Sequence, residues 1–315
     1  MNRITRVGVY GVGALGQHHA RIYSEMPTAK LVGIFDTDTE RAKTIAEDVG
    51  TCAFDKMEDL AREIEAASVV VPTHLHREVA GSLLERGLHL LVEKPIALST
   101  PEANELIKLA GARNLVLQIG HVERFNPVME YLEEVAHNPR FIEAHRLAPY
   151  PPSREGLHPR GTEVSVVLDL MIHDLEILLH MVRSPVKEFH AVGVPVLSPG
   201  ADIANARLVF ENGCVANVTA SRISPEKMRK IRVFLADSYI SLDYQQQEGE
   251  VFKISLGGIT KETVPIQKGE PLANELRAFV DCVAHHDQPI VSGEHASEAL
   301  KLAVAINQSI EENST

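Results

Sequence analysis

Cysteine is scarce: 315 residues contain three, Cys52, Cys214 and Cys282. They are far apart, odd in number and without metal-type spacing, which argues against a disulfide framework or a zinc cluster and suits reduced, packed thiols. Long apolar runs are missing too. No stretch approaches the about 18 residues that a membrane span needs, so no membrane partner is expected. Positive charge is short, with 31 Lys and Arg against 43 Asp and Glu and a formal net charge of −12. That balance disfavours nonspecific binding to nucleic acid or anionic lipid, while a local basic patch could still hold a phosphate. The opening MNRITRVGVYG enters a strand pattern directly and leaves no room for a signal peptide, so a cytoplasmic location is expected. There is no internal repeat and no low-complexity segment.

What is present reads as a globular enzyme, 44% hydrophobic and 23% charged, of a length that suits two domains. Residues 1–120 alternate apolar runs (RVGVY, LVGIF, SVVVP, LHLLV, LVLQI) with helical patterns such as ERAKTIAEDVG and HREVAGSLLERG. That alternation predicts βαβ units and a parallel sheet. Ser99-Thr100-Pro101-Glu102 marks a helix start. Residues 121–315 differ in texture: a short helix (NPVMEYLEEVA), a strand (FIEAHRLA), a loop (PYPPSREGLHPRG), a buried helix, then alternating strands over 186–267 with a hairpin signal at Asn212-Gly213. Two closing helices, LANELRAFVDCVAHH and EHASEALKLAVAINQSIEE, are expected to pack back on the first domain.

The first strand runs into Gly11-Val12-Gly13-Ala14-Leu15-Gly16. This G-x-G-x-x-G predicts a tight turn, close approach of a pyrophosphate and a helix N-terminus aimed at it. Asp36 follows Gly16 by 20 residues, where an acid accepts bonds from the adenosine ribose and repels a 2′-phosphate. NAD is therefore favoured; Arg41 keeps NADP as the less favoured alternative. Residues at the ends of later strands point to the same cleft, so Thr73, His76, Glu93 and Lys94 join the cofactor-binding set.

The helix VVLDLMIHDLEILLHMV (166–182) carries Asp169, His173, Glu176 and His180. At about 100° per residue these share a stripe about 60° wide on an otherwise apolar helix. Such a line points at something. A metal is disfavoured, since H-E-x-x-H is missing and hydride chemistry needs none.

Together, GVGALG (11–16), Asp36, VVVPTHLHREVA (69–80), LLVEKPIALS (90–99), QIGHVERFNP (118–127) and LDLMIHDLEIL (168–178) resemble the glucose–fructose oxidoreductase, inositol dehydrogenase and MocA family over the whole chain. The resemblance implies a Rossmann parallel sheet joined to an α+β domain with an open, mostly antiparallel sheet, and a homodimer or homotetramer. It assigns Lys94, Asp169 and His173 to catalysis. Glu176 and His180 continue the same face but lie outside the matched motif, and read either as side chains supporting the site from behind or as its rim. HRLAPYPPSREGLHPRGTEVSVVLDLMIHDLEIL and DIANARLVFENGCVANVTASRIS are similar to the branch that oxidises C3 of UDP-N-acetylglucosamine, whose 3-keto product passes to an aminotransferase in making lipid A sugars. The chain carries extra residues between Pro151 and Pro159 relative to that branch's pattern.

Oxidation of a secondary alcohol needs a hydride acceptor, a base and a positive group beside the alkoxide. His173, with an ordinary pKa of about 6.5, is a natural base; Lys94 could supply the charge or be the base itself. A sugar-linked diphosphate calls for arginines, and Arg124, Arg154, Arg160 and Arg222 are the candidates. His121 and Asn126 are candidates for sugar hydroxyls. The alternatives are a dehydrogenase of a free sugar, inositol or related polyol, and an NAD-binding regulator without turnover, which predicts loss of Lys94 or His173. Both are present.

Overall fold

The computed structural model describes residues 3–152, 159, 161–255 and 258–313, which divide into two units. The first comprises Met1–Val122 and Glu270–Ser297. Its strands β1 (Thr5–Tyr10), β2 (Ala29–Phe35), β3 (Cys52–Ala53), β4 (Ala66–Val69), β5 (His89–Glu93) and β6 (Leu117–Gly120) form one parallel sheet in the order β3-β2-β1-β4-β5-β6. Every residue of β4 and β6 is buried, with no polar alternation, because helices cover both faces of such a sheet. These are α1 (Gly16–Glu25), α2 (Thr39–Val49), α3 (Met57–Glu63), α4 (His76–Glu85) and α5 (Thr100–Ala112). The Ser99 side chain caps α5, and Asp38 caps α2 through the Arg41 N–H. The strand order reverses between β1 and β4, and open α/β sheets bind ligands outside the carboxyl ends of the strands at that point.

The helix α8 (Pro271–His285) belongs to this unit: Leu276, Phe279, Val280 and Val283 share a core with Val7, Val9, Ile22 and Tyr23. The final helix α9 (Gly293–Asn313) is divided after Ser297, and its remainder clusters with the second unit. The domain boundary expected near residue 120 is therefore incomplete. Residues 270–297 count with the first unit, because the apolar stripe of α8 completes that core.

The second unit, Glu123–Gly269 with Glu298–Thr315, holds α6 (Pro127–Val135), α7 (Ile172–Val182) and an eight-stranded sheet. Its strands are β7 (Phe141–Leu147), β8 (Val186–Val194), β9 (Ile203–Phe210), β10 (Val215–Ser221), β11 (Met228–Phe234), β12 (Ser238–Asp243), β13 (Glu248–Ser255) and β14 (Gly258–Thr263), ordered β14-β13-β12-β11-β7-β10-β9-β8. All pairs are antiparallel except β7 with β10. That parallel pair needs a long crossover, and residues 148–214 supply it, carrying α7. One face alternates inward with Ile142, Ala144, Ala206, Leu208, Val218, Ile231, Val233, Ile240 and Leu242. The other is only half covered and carries the aromatic row Phe141, Phe234, Tyr239 and Phe252, with successive ring centroids 5.6, 4.6 and 5.1 Å apart.

The expected α-helix over 166–182 differs in its first turn. Val167–Met171 forms a π-turn, in which the Ile172 N–H reaches back to the Val167 carbonyl, and regular α7 follows. Such turns insert one residue into a helix and recur at functional sites. Asp169 sits inside it.

Candidate active site

The loop after β1 turns on Gly11, at φ 86°, where an added Cβ would lie 2.6 Å from the Val70 carbonyl oxygen. A Cβ on Gly16 would overlap the Gly11 carbonyl oxygen. The chain's own packing therefore demands these two glycines. Gly13 differs: nothing lies within 4 Å of where its Cβ would stand. Ala14 is exposed beside it, and Leu15 precedes α1 with no side-chain cap and no acid in the first turn. A Cβ-free backbone facing open space beside an uncapped helix N-terminus is a cradle for a pyrophosphate.

Asp36 closes this loop from β2. Its Oδ2 accepts the Val12 N–H at 2.8 Å, and Oδ1 accepts the Asp38 N–H at 2.9 Å and Arg41 Nη2 at 2.7 Å. Burial pushes its carboxyl up, but the Arg41 bond and the two backbone N–H groups outweigh that and hold it below the usual range. An ionised carboxylate thus stands where an adenosine ribose would be read. Arg41 is drawn onto Asp36 and Asp38. The residues present fit a nicotinamide dinucleotide.

Thr73 opens a single 3₁₀ turn, Thr73–Leu75, four residues beyond Val69, where β4 ends earlier than the sequence pattern placed it. His76 was expected to touch the cofactor. Instead it is buried, with Nδ1 2.8 Å from the Pro95 carbonyl oxygen and Nε2 2.9 Å from that of Val71. It clasps the turns after β4 and β5, and burial lowers its pKa despite both carbonyls. Glu93 is likewise turned inward: Oε2 accepts the Lys94 N–H at 3.2 Å, and Oε1 lies 3.4 Å from His19 Nε2. A Cβ on Gly120 would come within 2.9 Å of Oε1. Both residues hold the turn that carries Lys94, which itself remains half-buried.

In the second unit, half-buried Asp169 and His173 begin the candidate helix. The rest of the polar stripe is occupied by the protein. Glu176 Oε1 accepts Arg124 Nη1 at 2.7 Å, Arg124 Nη2 reaches Glu133 at 3.3 Å, and His180 Nε2 lies 2.9 Å from Glu133. Burial raises the Glu176 carboxyl more than Arg124 lowers it. Beside this network Arg146 bridges Asp174, at 2.8 and 3.0 Å, and Glu123, at 2.9 Å. These ion pairs escaped sequence reasoning, although Glu123-Arg124 and Asp174-x-Glu176 are charges inside apolar patterns, the available signal.

Three substrate-binding expectations are corrected here. Arg124 is buried and neutralised by two carboxylates. Arg222, 2% exposed, spends all its donors on Asp202, Ser198 and three carbonyls. Asn126 caps α6 through the Val128 N–H and donates to Glu123 and the Tyr244 carbonyl. Buried polar groups find internal partners, and these three spend most of theirs inside the protein, Arg124 Nε alone making no hydrogen bond. His121 is buried at the end of β6. Arg154 and Arg160 lie outside the described residues. Among the described residues no three His, Cys, Asp or Glu side chains are grouped to hold a metal, and no helix is long and apolar enough to cross a membrane.

A family model described as oxidoreductase family, NAD-binding Rossmann fold, matches residues 5–121, and a GFO/IDH/MocA C-terminal domain matches residues 138–240. The UDP-N-acetylglucosamine 3-dehydrogenase of Acidithiobacillus ferrooxidans is 36% identical over 97% of both chains. The chain belongs to the GFO/IDH/MocA oxidoreductase family. It is a nicotinamide-dinucleotide-dependent dehydrogenase of that family. The crystal structure of the A. ferrooxidans enzyme superposes with a TM-score of 0.91, covering 98% of each chain. The scyllo-inositol 2-dehydrogenase (NAD(+)) of Bacillus subtilis is 25% identical, covering 98% of this chain and 95% of its own. Levoglucosan dehydrogenase in complex with NADH shares the fold, at TM-score 0.87 and 18% identity over 98% of both chains.

Proposed function

We propose that this dehydrogenase oxidises C3 of UDP-N-acetylglucosamine to the 3-keto sugar with NAD. The observation that carries the reading is the 36% identity over nearly the whole chain to an enzyme named for that reaction. NAD over NADP rests on Asp36, held ionised in place, which would repel a 2′-phosphate.

The backbone of residues 11–16 and the Asp36 carboxylate would hold NAD, with Thr73 at the next strand end. NAD bound there would supply the hydride acceptor for the carbinol carbon. Lys94 and His173 handle the hydroxyl proton: one accepts it, while positive charge on Lys94 stabilises the developing alkoxide. Asp169 binds a neighbouring hydroxyl or orients the imidazole. Arg154 and Arg160 remain for the diphosphate. The enzyme is proposed to act in the cytoplasm as a homodimer or homotetramer, its keto product consumed by an aminotransferase on the way to lipid A sugars.

A second reading, oxidation of a free polyol such as inositol, is favoured by the similarity to inositol dehydrogenases and by the internal pairing of Arg124 and Arg222. The test is NADH formation from UDP-N-acetylglucosamine against free N-acetylglucosamine and myo-inositol, with product mass. Two hydrogens lost from the UDP-sugar alone support the first reading; turnover of myo-inositol alone supports the second.

A further inference from the structure

Arg222 directly follows β10 and faces the loop that precedes the π-turn. Its guanidinium makes five bonds: Nε to Asp202 Oδ1 at 2.8 Å, Nη1 to the carbonyls of Gly161 at 2.6 Å and Val164 at 2.9 Å, and Nη2 to Ser198 Oγ at 2.8 Å and the Ala201 carbonyl at 3.4 Å. Asp202 is equally committed. Its Oδ2 accepts the N–H groups of Val196, Leu197 and Ser198 at 2.8, 2.6 and 2.9 Å, and Oδ1 accepts Ser198 Oγ at 2.6 Å. Burial raises its pKa, but these bonds bring it far below the usual range, so the pair is ionised. Two backbone bonds tie the same knot to its surroundings, Arg222 N–H to Asp202 O and Val166 N–H to Ala201 O.

A buried ion pair is weak evidence for stability, since apolar residues of similar volume often serve as well. What a guanidinium adds is direction. Its planar fork fixes two carbonyls of one loop relative to one carboxylate, which neither lysine nor an apolar side chain can do.

The loop it fixes ends on Asp169. Gly161 has φ 80°, and a Cβ there would lie 2.5 Å from Asp169 Oδ2 and 3.0 Å from its Cγ. The carboxylate therefore rests against bare glycine backbone. From below, the Ser165 carbonyl receives the N–H groups of Leu168 and Asp169, both at 3.1 Å. Contact is continuous from Asp202 through Arg222 and Gly161 to Asp169.

We propose that Arg222, anchored by Asp202, is a positioning residue that sets the orientation of the Asp169 carboxylate through Gly161. The proposal rests on Asp169 working in the dehydrogenase site. Arg222 thereby leaves the diphosphate set and acts on the chemistry without touching the substrate.

The test is a double-mutant cycle on the full chain, reading kcat and KM for UDP-N-acetylglucosamine (or myo-inositol, should that be the one oxidised), the pH profile of kcat, NADH affinity and Tm. Gly161→Ala pushes on Asp169 directly and is expected to lower kcat by about 100-fold, the scale of an ångström-size misplacement, with NADH affinity unchanged. Arg222→Gln is expected to do the same with some loss of Tm, and Arg222→Lys to regain Tm without regaining kcat. In an Asp169→Asn background both effects on kcat shrink to near nothing, because residues acting through one contact are not additive. Full additivity in that background, or wild-type kcat in Gly161→Ala, overturns the proposal while leaving the functional reading intact. Wild-type turnover in Asp169→Asn removes Asp169 from the chemistry and overturns the proposal with it, while the substrate reading stands. Should the Arg222 variants fail to fold, the Gly161→Ala and Asp169→Asn cycle decides alone.

Discussion

At residue scale the proposed chemistry divides between Lys94, Asp169 and His173 and the side chains that brace the turns around them. Glu93 and His76 brace the turn that carries Lys94, and Asp36 is braced in turn by Arg41. Lys94→Ala and His173→Ala are each expected to lower kcat by about 10²–10⁴-fold, the usual worth of a positioned proton-transfer group, with NADH affinity retained in fluorescence titration. Retained turnover in either variant removes that residue from the proton transfer. Asp36→Ser should lower kcat/KM for NAD about 10-fold, since bonds to a charged group contribute roughly 1.5–3 kcal/mol. It should raise kcat/KM for NADP, with Arg41 released toward a 2′-phosphate. An unchanged ratio of the two constants would show that Asp36 does not read the ribose.

At the scale of elements, the helix bearing Asp169 and His173 does two jobs. Its first turn is widened by a π-turn, and its later turns are locked to Arg124 and Arg146. Arg124→Met leaves Glu176 buried without its cation, which costs about 3–5 kcal/mol and should appear as a lower Tm. The double variant Arg124→Met/Glu176→Leu should recover most of it. Equal Tm values for wild type and Arg124→Met would contradict this account of the pair. A pH effect follows from Glu123. Burial raises its carboxyl, but Arg146 and Arg229 outweigh that and hold it below the usual range. A depressed carboxyl stabilises the fold above its ordinary pKa of about 4.3, and that contribution is lost as pH falls through the folded value. Tm should thus drop in acid, with a shallower slope in Glu123→Gln.

The parallel sheet, the cap of α5 and the glycine turn were legible in the sequence because each depends on neighbours in the chain: Ser99 with Glu102, Gly11 with Gly16. The stripe on 166–182 was legible as a stripe, and a supporting place for Glu176 and His180 with it, but not the partners that hold them. Glu176 is paired with Arg124 and His180 with Glu133, residues 52 and 47 positions away, and spacing along one helix carries no trace of them. Arg222 was misread for the same reason: an arginine near a cleft segment looks like a phosphate ligand until Asp202 and the Gly161 carbonyl are seen around it. A π-turn has no periodic signature in a run as apolar as VVLDLMI.

At the scale of the whole molecule, the half-covered aromatic row Phe141, Phe234, Tyr239 and Phe252 supports the proposed assembly. Light scattering should give two or four chains per particle, and Phe234→Asp together with Tyr239→Asp should reduce that number. A monomeric wild type contradicts it. The central claim, NAD-linked oxidation of a nucleotide sugar, is tested most directly by single-turnover NADH formation with saturating NAD and UDP-N-acetylglucosamine, with product mass read alongside. The account predicts one NADH per site and a product lighter by two hydrogens, both formed about 10²–10⁴-fold more slowly in Lys94→Ala and His173→Ala. Binding of NAD without any NADH from the UDP-sugar, under conditions where myo-inositol is oxidised, would contradict it.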